Sequence, residues 1–290
     1  MTKKIEISGE TRLVGFFASP ARHSISPKMH NLAFENRGID ARYLAFDVLP
    51  ENLLGSIEAI RSLGLLGVNL SMPHKQAVLP LLDELSTGAR LIGAVNTVVN
   101  QEGKLIGHNT DGIGFMRSLE ELALDIRDKE ITVLGAGGAA TAIICQAALD
   151  GVQTIHIISR KSANFTKMAQ KIKEIQKQTT CQINLIESTN QVAITEACQR
   201  SCLLINGTNV GMGELEDQIP MIQISDLRAD LAVSDIIYHP AETKLLKEAK
   251  KTGAKTMNGL GMLIHQGAVA FELWTNQTMP VELVKEALLK

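Results

Sequence analysis

The stretch "EITVLGAGGAATAIICQAALDGVQTIHIIS", Glu130 to Ser159, decides the fold. Ile131 to Leu134 form a short apolar and β-branched run that reads as a buried strand. "GAGGAA" follows and sets Gly135, Gly137 and Ala140 at the spacing G-x-G-x-x-G/A. A tight turn needs the first glycine, and close approach of a pyrophosphate to the backbone needs the second. The small third position lets the following helix lie on the strand. The start of that helix offers free N–H groups and a partial positive charge to phosphate. A strand before, a helix after and a second strand within about thirty residues supply the context that a bare glycine motif lacks. Gly135, Gly137, Gly138, Ala139 and Ala140 are therefore the candidate cradle for a dinucleotide.

The end of the next strand reads "ISRKSANF", with Ser159, Arg160 and Lys161 in succession and no acid. An acid there would accept from a ribose 2′-OH, whereas cations suit a 2′-phosphate. The residues lean to NADP or to use of both cofactors, with two solvated surface cations as the plain alternative.

Outward from this unit, strands and helices alternate almost throughout. "RLVGFFAS" is a strand, "SPKMHNLAFENRG" a helix with Pro27 in its first turn and Gly38 at its end, and "ARYLAFDV" a second strand. "ENLLGSIEAIRSLG" carries apolar residues at helical period, and "LLGVNLS" is a third strand. Such alternation implies parallel crossovers and an α/β sheet. "LINGTNVGM" and "LAVSDIIYHP" read as later strand-plus-loop units, and "AETKLLKEAKKTG" as an amphipathic helix. The boundary between the two halves falls softly between Asp111 and Leu124.

At 290 residues, 45% apolar and 21% charged, the chain is an ordinary globular protein with room for two cores. A net charge of -2 leaves no electrostatic footprint for nucleic acid or for an anionic membrane. No apolar run approaches the ~20 residues of a spanning helix. "MTKKIEISGETRL" lacks the apolar core of a leader, so a soluble cytoplasmic protein is expected. Cys145, Cys181, Cys198 and Cys202 lack metal-ligand spacing and read as reduced and structural. No metal site is expected. Trp274 and "VELVKEALLK" suit the core better than an interface, which leaves a homodimer open.

Three stretches ahead of the glycine turn place polar residues after apolar strands. "ARHSISPKMHN" sets Ser24 and Ser26 before a helix, "GAVNTV" holds Asn96 between apolar neighbours, and "GHNTDGIG" brings Asp111 into a glycine-flanked loop. Each has a bland reading: Ser26 as a helix cap, Asn96 as a turn former, Asp111 as a cap of the next helix. His23, His74 and His108 lie nearby and read as surface or structural. In "VNLSMPHKQAV", Lys75 falls just past Pro73 at the carboxyl end of a strand, where α/β sheets place ligands.

Together, "SPARHSISPKMHN", "GVNLSMPHK", "GAVNTV", "NTDG", "GAGGAA", "INGTNVGM", "DIIYHPAETKLL" and "GLGMLIHQGA" resemble, in that order, the motifs of shikimate dehydrogenases. The run looks most like the quinate/shikimate dehydrogenase branch and extends from about Leu13 to about Leu283. The resemblance implies an α/β fold with an N-terminal catalytic domain, residues 1–112 and 259–290. A Rossmann NAD(P)-binding domain, residues 113–258, is inserted into it, with the cleft between them. It implies that Lys75 and Asp111 form the catalytic pair. Ser24 and Ser26 would bind the substrate carboxylate, with Ser71 beside them where the family commonly has threonine and Tyr238 near it, and Asn96 and Gln266 would hold the ring hydroxyls. Thr208, Met212 and Gly259 would lie along the nicotinamide half of the cofactor. The implied reaction is reversible reduction of 3-dehydroshikimate to shikimate with NAD or NADP, on the way to chorismate and the aromatic amino acids.

One departure bears on the cofactor. Where NADP-specific members show two arginines, "SRKSAN" keeps Arg160 but has Asn164 at the second position, and Ser162 stands where some relatives carry an acid. The lean to NADP weakens, and use of both is the safer expectation. Two rivals remain: an enzyme acting mainly on quinate in a catabolic role, and a dinucleotide-binding regulator without chemistry. The presence of Lys75 and Asp111 within their motifs speaks against the second.

Overall fold

The computed structural model describes residues 6–289. Residues 1–5, part of the stretch read for a leader, and Lys290, the end of "VELVKEALLK", lie outside the described residues. The chain separates into two compact units, one of the residues up to Gly114 with those from Ile264 onward, the other Phe115–Leu263.

The first unit runs β1 (Arg12–Ala18), α1 (Ser26–Arg37), β2 (Ala41–Asp47), α2 (Leu53–Ser62), β3 (Gly67–Leu70) and the single turn α3 (His74–Ala77). The short β4 (Glu84–Leu85), α4 (Thr87–Ile92), β5 (Thr97–Gln101), β6 (Lys104–His108) and the start of α5 (Asp111–Ser118) follow. Its sheet has the order β2-β1-β3-β5-β6-β4. The parallel crossovers expected from the alternation hold for β2, β1 and β3. β5, however, is antiparallel to both β3 and β6. The β5–β6 turn accounts for the second pairing: Glu102 (φ 53°) and Gly103 (φ 92°) are both left-handed, the requirement of a tight hairpin. Asn100 closes the turn by accepting from the Gly103 N–H at 2.8 Å.

Gly38 ends α1 in the left-handed conformation (φ 67°), the usual stop for a helix. Ser26 is not its cap, as the bland reading had it: Ile25 occupies that position and Ser26 is the first helical residue. Asn31 on α1 protects the edge strand β2, its amide pairing with both the N–H and the carbonyl of Tyr43. Under the sheet, Ile57 and Ile60 of α2 pack on Val68, Leu70 and Val98. Buried aliphatics of this size contribute about 1.5–3 kcal/mol each.

The second unit continues with β7 (Glu130–Leu134), α6 (Gly138–Leu149), β8 (Thr154–Ser159), α7 (Ala163–Gln176), β9 (Gln182–Glu187) and α8 (Gln191–Arg200). It closes with β10 (Leu203–Asn206), β11 (Ala232–Asp235), α9 (Lys244–Lys251) and β12 (Thr256–Met257). All six strands are parallel in the order β12-β11-β10-β7-β8-β9. Counted from β7 this is 3-2-1-4-5-6, the doubly wound dinucleotide order. Every residue of β8 is buried, as a parallel strand covered on both faces requires. α10 (Leu260–Thr275) and α11 (Val281–Leu289) return the chain to the first unit.

Trp274 on α10 is buried and donates to the Val98 carbonyl at 3.0 Å, a core position as expected. The four cysteines are free. Among the described residues no helix is long and apolar enough to cross a membrane.

Candidate active site

The β5–β6 hairpin builds the polar cluster of the first unit. Its register sets Thr97 opposite His108, so Asn96, just before β5, lies beside Asn109, Thr110 and Asp111, just after β6. The Val95 N–H donates to the Lys75 carbonyl at 2.8 Å and ties α3 to the same place. Residues 36 apart in the chain thereby meet: the Lys75 ammonium donates to Asp111 Oδ2 at 2.6 Å. Asn96 Nδ2 donates to the other oxygen at 2.8 Å. The Lys75 side chain is 27% exposed and that of Asp111 13%, so the pair is shielded yet reachable.

The amide of Asn96 has one possible orientation. Its Oδ1 accepts from the Thr110 N–H at 2.9 Å, which turns Nδ2 toward the carboxylate. Thr97 also donates to that Oδ1, and Asn69 Nδ2 donates to Thr97 Oγ1 and to the Asn96 carbonyl. Asn69 Oδ1 in turn accepts from the Tyr43 hydroxyl at 2.8 Å. Hydrogen bonds of one polarity therefore run from Tyr43 through Asn69, Thr97 and Asn96 to Asp111. Burial raises the Tyr43 phenol above its ordinary range, so it serves as a neutral donor. Its ring stacks on His30 at 4.5 Å, and burial lowers that imidazole to about 3. Sequence reasoning missed Tyr43, Asn69, Thr97 and Thr110. The signal was present for Asn69, a polar residue between Val68 and Leu70 inside a quoted motif.

Ser24 lies in the β1–α1 loop and accepts from the Ser26 N–H at 3.2 Å, which leaves its own hydroxyl hydrogen uncommitted. Ser26 is buried beside the Tyr43 hydroxyl. Ser71 follows β3, its N–H bound to the Phe17 carbonyl near the end of β1. Gln266 on α10 is half-buried, and Gly114 lies so close to its backbone that a Cβ there would come within 2.4 Å of the Gln266 nitrogen. His74 is structural, its Nε2 at 2.7 Å from the Val48 carbonyl. His108 is half-buried, and burial lowers its pKa; His23 is exposed.

In the second unit, Gly135 takes the left-handed conformation (φ 101°) that the turn after β7 demands. A Cβ there would also meet Thr208 at 2.9 Å, and one on Gly207 would meet Ala140 at 2.8 Å. The glycine turn and the loop after β10 are thus packed against each other. Gly137 and Gly138 instead face open space beside the first N–H groups of α6, next to Ala139. Open backbone at a helix start, with no side chain in the way, fits a dinucleotide phosphate. Ser159 is buried at the end of β8, while Arg160 and Lys161 are exposed. Lys161 lies 3.8 Å from Glu187 at the end of β9, an acid that a reading of the β8 end alone misses. Met212 and Tyr238 are exposed in this unit, and Gly259 is buried with its N–H on the Ile237 carbonyl.

Comparison with known proteins places the chain among dehydrogenases. Residues 16–98 match the shikimate dehydrogenase substrate binding domain, and residues 259–289 the shikimate 5'-dehydrogenase C-terminal domain. The shikimate dehydrogenase (NADP(+)) of Streptococcus uberis is 48% identical over 285 residues, 97% of each chain.

The chain belongs to the shikimate dehydrogenase family.

Solved members of the family share its fold. The shikimate 5-dehydrogenase of Listeria monocytogenes, in complex with shikimate and NAD, is 44% identical with a TM-score of 0.96 over 99% of both chains. A shikimate dehydrogenase in complex with NADP+ is 42% identical with a TM-score of 0.88, over 98% of this chain and 96% of that one. Family membership accounts for an α/β fold with an N-terminal catalytic domain and a Rossmann-like domain.

Proposed function

We propose that the protein is an NAD(P)-dependent shikimate dehydrogenase that interconverts 3-dehydroshikimate and shikimate on the route to aromatic amino acids. The observation that carries this reading is the Lys75–Asp111 contact at 2.6 Å, with Asn96 on the second carboxylate oxygen, in a chain of this family. A nicotinamide cofactor, when bound, would supply or take the hydride at the reacting carbon. Lys75 delivers a proton to the alkoxide in reduction and takes it back in oxidation. Asp111 holds the ammonium in place, and the hydrogen bonds behind Asn96 hold Asp111. Ser24, Ser26 and Ser71 bind the substrate carboxylate, with Tyr238 near it, and Asn96 and Gln266 bind ring hydroxyls. These contacts orient the ketone carbon toward the hydride donor.

Gly135, Gly137, Gly138, Ala139 and Ala140 would hold the cofactor. Thr208, Met212 and Gly259 would line its nicotinamide side, and Ser159, Arg160 and Lys161 its adenosine side. Arg160 and Lys161 favour a 2′-phosphate, whereas Asn164 gives no second arginine and Glu187 offsets Lys161. These opposing features support use of NAD or NADP without a fixed preference.

A second reading concerns quinate, the substrate of the branch the motifs most resemble. Quinate carries an added hydroxyl on the carbon that bears the carboxylate. Ser71 is smaller by a methyl group than the threonine common in the family, which makes room there. Absorbance of the reduced nicotinamide, with shikimate or quinate and with NAD or NADP, tests both readings. Shikimate turnover with either cofactor supports the first, and a higher kcat/KM for quinate replaces it with the second. Turnover of neither sinks both.

A further inference from the structure

We propose that Asp235 is a positioning residue for cofactor binding, fixing the loop after β10 and the Gly259 segment through Asn206 and the backbone of Ile237. The proposal rests on the dehydrogenase reading for the role of that loop. Its geometry is independent of it.

Asp235 ends β11 and is fully buried. Oδ1 accepts from the Ile237 N–H at 3.0 Å, and Oδ2 from the Thr243 hydroxyl at 2.8 Å. Asn206 Nδ2 lies 3.1 Å from both oxygens. None of these partners is a cation. Burial pushes the carboxyl above the usual carboxylate range, and the donors pull it back. A buried carboxylate without a counter-charge is a costly way to join two strands, because an apolar pair would do so without the desolvation penalty. What it provides is orientation.

The carboxylate turns Nδ2 of Asn206 toward itself and so turns Oδ1 toward the loop. Oδ1 accepts from the Thr208 N–H at 3.1 Å and from its hydroxyl at 2.7 Å. Nδ2 also reaches the Val210 carbonyl at 2.9 Å, and Val210 N–H returns to Thr208 Oγ1 at 3.1 Å. The loop is thus wound about one amide whose direction Asp235 sets. Thr208 abuts Gly135, so the position of the loop also shapes the glycine turn.

On its other side, the Ile236 N–H donates to the Asn206 carbonyl and the Gly259 N–H to the Ile237 carbonyl. A Cβ on Gly259 would meet the Ile236 carbonyl oxygen at 1.9 Å, so this contact has no slack. Thr208, Gly135 and Gly259, from three separate segments, share one frame with Asp235 at its centre. An amide at position 235 would present a donor to Asn206 or to Ile237, and the Asn206 amide would turn to avoid it.

The test is Asp235→Asn in the whole protein, with steady-state kinetics in both cofactor and shikimate. The expected result is a cofactor KM raised at least about tenfold, with the shikimate KM and kcat at saturation within about threefold, the pattern of lost ground-state binding. Ile194→Ala, a core truncation on α8, should lower the melting temperature and leave the cofactor KM within about twofold. If Asp235→Asn does not fold, Asn206→Ser should itself raise the cofactor KM about fivefold or more. A folded Asp235→Asn or Asn206→Ser enzyme with an unchanged cofactor KM overturns the proposal. So does an Ile194→Ala enzyme whose cofactor KM rises as far. If the wild type turns over neither shikimate nor quinate, the dehydrogenase reading falls. Calorimetric titration of NAD or NADP into wild type and Asp235→Asn then still decides the role of Asp235, by a weakened or an equal affinity.

Discussion

Both units gather an aspartate, an asparagine and threonine hydroxyls at the ends of interior strands, yet the two clusters serve different purposes. In the first unit, Asp111 takes one bond from Asn96 and one from the Lys75 ammonium, and the pair stays partly exposed. In the second, Asp235 takes its bonds from Asn206, Thr243 and a backbone N–H, holds no cation among them, and is shut from solvent. A cation with a reachable proton makes the first cluster fit for acid–base work. The second holds no cation and has no opening to solvent, so its worth lies in geometry. Residue type alone does not separate these roles; the presence of an exchangeable charge and access to it does.

Lys75→Ala removes the feature that sets the first cluster apart. It should lower kcat roughly 10²–10⁴-fold with a smaller change in the shikimate KM, measured at saturating cofactor. A near-normal kcat with a raised KM would reduce Lys75 to a binding group and erase the contrast.

His30 offers a third buried titratable group for comparison, one with neither counter-charge nor hydrogen-bond partner. Its folded pKa of about 3 lies below the ordinary 6.5. Between those values the unfolded chain binds a proton that the folded chain refuses, so stability falls as pH drops through that window. At about 1.4 kcal/mol per unit, His30→Phe should remove about 2–3 kcal/mol of the loss between pH 6.5 and 4.5. Urea unfolding at the two pH values measures it, and identical losses in wild type and variant would contradict the assignment.

Ser24→Ala should raise the shikimate KM roughly tenfold, the scale of one hydrogen bond to a charged group, with kcat kept. An unchanged KM would take Ser24 out of the site. The smallest effect is expected at the rim of the second unit. Glu187→Gln leaves Lys161 unopposed and should shift preference toward NADP about two- to threefold, as suits an exposed pair. A shift toward NAD would reverse the role given to Glu187.

Much of the second unit is legible from residues 130–159, because a parallel βαβ unit is written in contiguous sequence: buried strand, glycine turn, apolar helix, buried strand. The first unit is less open to such reading. The β5–β6 hairpin turns on two left-handed residues in "QEGK", and that hairpin, not a crossover, sets Asn96 beside Asp111. Lys75 and Asp111 stand out by their motifs, but the bonds from Tyr43 through Asn69 and Thr97 cross three strands and leave no local pattern. Asp235 is the extreme case. It reads as one polar residue in "LAVSDIIYHP", and its partner Asn206 is 29 positions away on the neighbouring strand.

The most direct test compares kcat at saturating shikimate and cofactor for Lys75→Ala and Asp235→Asn, side by side with wild type. The open cluster with its cation should carry the chemistry, so Lys75→Ala should lose at least about a hundredfold. Asp235→Asn should stay within about threefold once cofactor saturates. Equal losses in the two variants, or the larger loss in Asp235→Asn, would contradict the division of labour between the clusters.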